Sequence, residues 1–145
     1  MLTEAVKVPL VDTTSPVWSD GTLLPSGEAT LHVLTHSLHN GGAVFEGIRA
    51  YDGRLFLGKE HFRRLQRSAE LLGYTLPWLV DDLQAASEAV LWAGGLKDAY
   101  VRPIAWRGSE SVTVSAQGCR IHTAIAAWDW PVETALGDGT SELRL

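Results

Sequence analysis

A single cysteine, Cys119, leaves this chain no internal disulfide and too few thiols for a cysteine-rich zinc site. No run of residues approaches the roughly 18 consecutive apolar positions of a membrane span. The opening segment, MLTEAVKVPLVDTTSP, has no basic stretch followed by an apolar one, so nothing in it reads as a secretory signal. Positive charge is not in excess either. Twelve basic residues stand against 17 acidic ones, a net charge of −5 that suits neither nucleic acid nor an anionic membrane. Together these absences lead us to expect a cytoplasmic protein with no membrane and no nucleic-acid partner. Lysine is scarce as well: Lys7, Lys59 and Lys97 are the full set, which bounds any chemistry that needs an amine. Apolar residues, at 46%, and tryptophan, with six copies, are plentiful. At 145 residues the chain is long enough for one domain that buries roughly 68–70% of its unfolded surface.

Residues 1–16 are polar, contain Pro9 and Pro16, and are expected to form a loose arm. Val17–Leu24 reads as a hairpin around Asp20-Gly21, two residues that tolerate the positive φ of a tight turn. Leu31–Gly42 fits a strand followed by a turn or a short helix. Ala43–Tyr51 is expected as one continuous strand, with Asp52-Gly53 turning it into Arg54–Leu57. On that strand Phe45, Gly47 and Arg49 share one face, and Val44, Glu46 and Ile48 the other. Helical spacing predicts Lys59–Leu72, with Phe62, Leu65, Ala69 and Leu72 inward, and Val80–Ala93, with Leu83, Ala86, Val90 and Leu91 inward. Gly73 and Gly94-Gly95 stop the two helices. Strands Ala99–Trp106 and Arg120–Trp128 follow, joined by the polar loop RGSESVTVSAQG. The domain is expected to end near Trp130, with 131–145 a polar tail. The order of elements predicts an α+β fold: an antiparallel sheet with two helices packed on one side.

Several residues are candidates for chemistry. Tyr100 and Arg102, two apart on a strand, point the same way, and a phenol beside a guanidinium suits a carboxylate. A surface arginine beside a core tyrosine is the plainer alternative. Pro103 next to them suggests an edge strand or a bulge. Gly47 between Phe45 and Arg49 suggests an open floor on which a flat ligand could lie, or simply a tolerated glycine. Arg64, in HFRRLQRS, is by spacing alone a solvated helix residue. His32, His36 and His39 have a spacing reminiscent of metal ligands, yet lack acidic or thiol partners, which favours a hydrogen-bonding role and no metal. Val112-Thr113-Val114 lies in a loop long enough to be a lid or a partner contact, or plain surface.

Taken together, HVLTHSLHNGGAVFEGIRAYDGRLFLGKEHFRRLQRSAELL and AYVRPIAWRG resemble the N-terminal small domain of branched-chain amino-acid aminotransferases. These are class IV, fold-type IV enzymes that use pyridoxal 5′-phosphate (PLP). The FEGIR, H-x-x-R-L and Y-[IV]-R-P segments carry the resemblance, which covers about Val17 to Trp130. It implies that Arg64 binds the PLP phosphate, and that Phe45 and Gly47 line the substrate pocket with Arg49 nearby. It also implies that Tyr100 lies near the substrate carboxylate and Arg102 near the side-chain carboxylate of glutamate. Ser111, Val112, Thr113 and Val114 match a loop that reaches the other subunit's active site in the family dimer. Trp130 matches an aromatic residue near the interdomain connection. His36 and His39 match histidines that are not metal ligands.

Two departures matter. Asn40 stands where the family commonly has a pocket tyrosine, and Val132 and Glu133 stand where an aromatic residue often lines the pocket. The family's large C-terminal domain, with its Schiff-base lysine and the acidic partner of the pyridine nitrogen, has no counterpart here. None of the three lysines matches a catalytic position, so no catalytic residue is expected in this chain. Three functional readings follow. The chain is half of a split or truncated transaminase that needs a separately encoded large domain, or an interaction or regulatory domain pairing with a complete paralogue in a homo- or hetero-oligomer. In the third, its pocket is reused for a PLP-independent reaction or a small acidic ligand.

Overall fold

The computed structural model describes residues 12–130. A sheet of seven antiparallel strands forms its spine: β1 Pro16–Ser19, β2 Thr22–Pro25, β3 Val44–Phe45, β4 Ile48–Tyr51, β5 Arg54–Leu55, β6 Ala99–Arg107 and β7 Ile121–Asp129. The strand order is β2-β1-β7-β6-β4-β5, and β3 also pairs with β6. Helices α2 (Gly58–Leu71) and α3 (Val80–Ala93) both bring side chains to the buried core on one face of this sheet. The α+β architecture is therefore the expected one, with the short helix α1 (His36–Asn40) added.

Both hairpins form as their turn residues require. Asp20 (φ 45°) and Gly21 (φ 97°) join Ser19 to Thr22, while Asp52 (φ 48°) and Gly53 (φ 73°) join Tyr51 to Arg54. Two consecutive left-handed residues match the twist of the flanking strands. The Leu31–Gly42 segment contains no strand; Ser26–Glu28 is a 3₁₀ turn and α1 occupies His36–Asn40. Asp12 accepts hydrogen bonds from the Thr14 amide (2.9 Å) and the Ser15 hydroxyl (2.7 Å), and Pro16 already pairs with Pro25. Regular structure thus begins just ahead of Val17. The expected arm at 1–11 and the tail at 131–145 lie outside the described residues.

The expected continuous strand Ala43–Tyr51 is split into β3 and β4, and Pro103 is the reason. Phe45 faces Ile104 and Ile48 faces Val101 in one unbroken register, which places Pro103 opposite Glu46. The Glu46 amide donates to the Pro103 carbonyl (3.0 Å), but proline has no N–H to return. The sequence expectation for Pro103 is an edge strand or a bulge. It sits instead, in unbroken register, in β6, a central strand bonded along its length to β7, with its missing donor turned toward β3 and β4.

Side-chain alternation then sorts the sheet. Val44, Glu46, Ile48 and Ala50, with Ala99, Val101, Pro103 and Ala105, face the helices and are buried. Phe62, Leu65 and Ala69 of α2 and Leu83, Val90 and Leu91 of α3 fill the same core, each at most 1% exposed. Leu72, expected inward, lies past the end of α2 and is exposed. Tyr74 and Leu76 take the space, after Gly73 (φ 78°) reverses the chain. Asp82 caps α3 by accepting from the Leu79 amide at 3.0 Å, and Asp81 pairs with Lys59 at 2.8 Å.

One local strain stands out. Leu57 enters α2 at φ 53°, ψ 36° with an exposed side chain. A left-handed leucine costs roughly 1–2 kcal/mol, and asparagine tolerates that region far better. Leu57→Asn should therefore raise stability by about 0.5–1 kcal/mol, seen as a higher urea midpoint with an unchanged slope. A lower midpoint would show that the leucine packs usefully despite its exposure.

Candidate functional site

The face of the sheet turned away from α2 and α3 carries most of the candidate residues. Arg49, Tyr100 and Trp128 lie side by side across β4, β6 and β7. One row further along, Arg102 faces Ala126 of β7 and, by the same register, Gly47 on its other side. The Arg102 guanidinium lies among aromatic rings. It sits 4.4 Å from the Phe45 ring centroid, 5.1 Å from Tyr100 and 5.9 Å from Trp128. Its Nη2 donates to the Tyr100 hydroxyl at 2.8 Å.

Tyr100 is held between aromatic neighbours, stacked on Trp128 at 4.9 Å and tilted against Trp130 at 5.6 Å. The structure thus brings Phe45, Gly47, Arg49, Tyr100, Arg102 and Trp130 together, and adds Trp128, which the sequence did not single out. The open floor expected at Gly47 is already filled. The Tyr100 hydroxyl lies where a Cβ on Gly47 would project, so glycine there makes room for the phenol rather than for a ligand.

Two guanidinium groups share this face, and no carboxylate among the described residues is paired with either. Arg49 Nη2 donates to the Trp130 carbonyl at 2.8 Å, leaving its Nε and Nη1 buried without partners; Arg102 Nε is likewise unpartnered. Buried donors without acceptors are costly, and charged ones more so. With no carboxylate beside them, the two guanidinium groups leave this part of the sheet face positively charged. Beyond this row, Ile104, Trp106, Ala124 and Ala126 line a largely apolar cavity of about 350 Å³ beneath residues 29–38. A cationic site and an apolar cavity thus adjoin on one sheet face.

Arg64 is not part of this cluster. Glu46 and Gly47 are consecutive, yet Glu46 points to the helix side, and Arg64 reaches it from α2. Arg64 Nε and Nη2 each lie 2.6 Å from a Glu46 carboxylate oxygen, and His61 Nδ1 lies 2.9 Å from Oε2. Burial alone would raise the Glu46 pKa. The hydrogen bonds and charges of Arg64 and His61 outweigh it and hold the carboxyl below its ordinary value of 4.5. The same pair raises the Arg64 pKa. Arg64 therefore spends the Nε–Nη2 edge of its planar fork on Glu46, and its side chain is 66% exposed. Beside it, β5 pairs with Ala50 and Tyr51 and does not extend along Phe45–Ile48. Glu46 had a readable signal: a lone acidic residue on the core face of an apolar strand needs a cation near it.

The Ser111–Val114 loop lies elsewhere, against α1. Leu34, His36, His39 and Asn40 line a small cavity with it, and Val112 and Val114 are 76% and 85% exposed. The histidines engage the backbone: His36 Nε2 with the Val114 carbonyl at 3.1 Å, His39 Nε2 with the Val33 carbonyl at 2.8 Å, and His32 Nδ1 with the Leu34 amide at 3.1 Å. Among the described residues no cluster of three His, Cys, Asp or Glu side chains is placed to hold a metal ion. No helix among them is long and apolar enough to cross a membrane.

Comparison with known proteins shows the family. Residues 43–143 match the family model described as amino-transferase class IV. The chain is 48% identical over 110 residues to a probable branched-chain-amino-acid aminotransferase of Rickettsia conorii, covering 76% of this chain and 38% of that protein. It is 39% identical over 125 residues to the branched-chain-amino-acid aminotransferase of Pseudomonas aeruginosa, covering 83% and 41%. Among solved structures, the T.th. branched-chain amino acid aminotransferase with pyridoxamine 5′-phosphate superposes with a TM-score of 0.80 at 34% identity, covering 88% of this chain and 43% of that one. The same enzyme complexed with N-(5′-phosphopyridoxyl)-L-glutamate superposes at 0.76 and 35% identity, covering 81% and 42%. The chain thus spans about two-fifths of the length of these relatives. It belongs to the amino-transferase class IV family, as a match to the N-terminal part of branched-chain aminotransferases.

Proposed function

We propose that this chain is the small domain of a PLP-dependent transaminase acting on branched-chain amino acids and 2-oxo acids, and that it turns over only with the remainder of the protomer. That remainder is either a large domain on the same polypeptide or a separately encoded partner; the chemistry asked of it is the same. The observation that carries the reading is the Arg102 guanidinium, stacked on Phe45, bonded to Tyr100 and without a carboxylate partner. Arg102 and Tyr100 would orient a substrate carboxylate. The adjoining apolar cavity supports a partner substrate with a hydrocarbon side chain, and Trp130 and Trp128 would exclude water from the Tyr100 end. Exposed Val112 and Val114, grouped with Asn40, support a surface that reaches a second protomer.

The exposed Arg64 guanidinium would suit the phosphate end of PLP, and the described residues offer no amine placed beside it for the aldehyde. Lys59 is ion-paired with Asp81 and Lys97 lies exposed between α3 and β6. When bound, PLP supplies the electron sink for amino-group transfer. One charge-assisted hydrogen bond is worth about 1.5–3 kcal/mol, whereas even millimolar binding requires about 4. The isolated chain should therefore show no saturable change in visible absorbance with PLP up to about 1 mM. Supplying the large domain of a branched-chain aminotransferase should restore saturable binding and valine-dependent transfer to 2-oxoglutarate. A borohydride-reduced phosphopyridoxyl adduct on Lys7, Lys59 or Lys97 of the chain alone would overturn this reading.

A further inference from the structure

At the end of the sheet remote from Tyr100, one imidazole stands between two carboxylates. His122, near the start of β7, stacks on Trp106 with ring centroids 5.7 Å apart and planes at 22°. Its Nδ1 lies 2.6 Å from Asp20 Oδ2 in the β1–β2 turn, and its Nε2 lies 2.7 Å from Glu110 Oε1 in the β6–β7 loop. The second oxygen of each carboxylate accepts from the backbone: Asp20 Oδ1 from the Thr123 amide at 2.8 Å, and Glu110 Oε2 from the Arg120 amide at 3.1 Å. Carboxylate oxygens only accept, so both ring nitrogens must donate. A neutral imidazole can donate from one nitrogen alone, and only the imidazolium satisfies both contacts.

Glu110 immediately precedes Ser111, so this contact fixes one root of the Ser111–Val114 segment. The other end is fixed by His36, itself buried, at the Val114 carbonyl. We infer that His122, as an imidazolium, is a clamp that ties the root of the Ser111–Val114 loop to the β1–β2 turn, and that loss of its proton releases the loop. The clamp stands on the geometry alone; only its consequence for a second protomer's site rests on the function proposed above.

The titratable groups around the ring are Asp20 from the turn, Glu110 from the loop, and His32, which lines the same cavity of about 200 Å³ from the segment ahead of α1. Strand β6 and the residue after it contribute only Trp106 and Gly108 to that cavity. Burial lowers the His122 pKa, but the hydrogen bonds and charges of Asp20 and Glu110 outweigh it and raise the value above 6.5. A raised imidazole pKa contributes its full stabilisation below the unfolded value near 6.5 and loses it as pH climbs through the folded value. The loop is therefore held below the His122 midpoint and freed above it.

The experiment is a pH titration of the whole chain by NMR, reading the His122 ring nitrogens together with amide exchange at Arg120 and residues 111–114, corrected for the intrinsic pH dependence of exchange. Two protonated ring nitrogens are expected near pH 6.5. Across the His122 titration the protection of the Arg120 amide should fall, while amides of β6 stay protected. Glu110→Gln should make loop exchange fast and independent of pH with the fold retained. Asp20→Asn leaves the loop root intact and should lower the His122 midpoint, moving the onset of loop exchange by the same interval. A single neutral tautomer at pH 6.5, or loop exchange that ignores the His122 midpoint in the wild type or in Asp20→Asn, would overturn the clamp.

Discussion

Arg102→Lys should raise the KM of the assembled enzyme for 2-oxoglutarate about a hundredfold, the equivalent of about 3 kcal/mol, while leaving the KM for leucine within about threefold. The charge is retained in this variant, so the expected loss comes from shape. Arg102 lies against the Phe45 ring at 4.4 Å while donating to the Tyr100 hydroxyl at 2.8 Å, and its Nε remains buried and free. A planar fork can stack on one face and present parallel donors along its edge; an ammonium can do neither. Lysine at 102 would lose the Phe45 contact and meet the carboxylate as a point charge. A monocarboxylate with a hydrocarbon side chain does not place a second carboxylate there, which is why leucine should be nearly indifferent. Steady-state kinetics with both substrates decide the matter. Equal losses for the two would mean that Arg102 supports the fold of the site rather than the second carboxylate.

The part of this site that was legible in the sequence is the part built from alternation. Two side chains separated by one residue on a strand must share a face, which grouped Phe45 with Gly47 and Arg49, and Tyr100 with Arg102. The Asp-Gly pairs fixed both hairpins because few other residues accept two successive positive φ values. The contacts that cross between elements were not legible. Pairing of Glu46 with Arg64 joins positions 18 apart, and pairing of Asp20 with His122 joins positions 102 apart. Such pairs are set by packing of α2 on the sheet and by β1 lying beside β7, not by local pattern. Pro103 misleads for a related reason. Proline reads as a signal of an edge or a bulge, yet only one of a central strand's two sides needs its N–H at any residue. The carbonyl of Pro103 still accepts from Glu46, and the cost is confined to one missing bond.

The Glu46–Arg64 pair yields the other large effect. Arg64→Ala should lower the melting temperature by about 5–10 °C at neutral pH, and more than Glu46→Gln does, although Arg64 is the more exposed partner. The asymmetry follows from what each change leaves behind. Without Arg64, the Glu46 carboxylate, 7% exposed, keeps only its hydrogen bond to His61. Without the Glu46 charge, Arg64, 66% exposed, turns to water. Because Glu46 titrates below 4.5 in the fold, its pairing contributes fully above the unfolded value and is lost as pH falls through the lower, folded one. The gap between wild type and Arg64→Ala should therefore close as pH drops below about 4.5, since a protonated Glu46 no longer requires the guanidinium. Adding Glu46→Gln to Arg64→Ala should recover part of the loss at neutral pH. Thermal unfolding of the three variants and wild type at neutral and acid pH measures all of this. A pH-independent gap would show that the alkyl stem of Arg64 carries the stability and that its charge is left free for an anion.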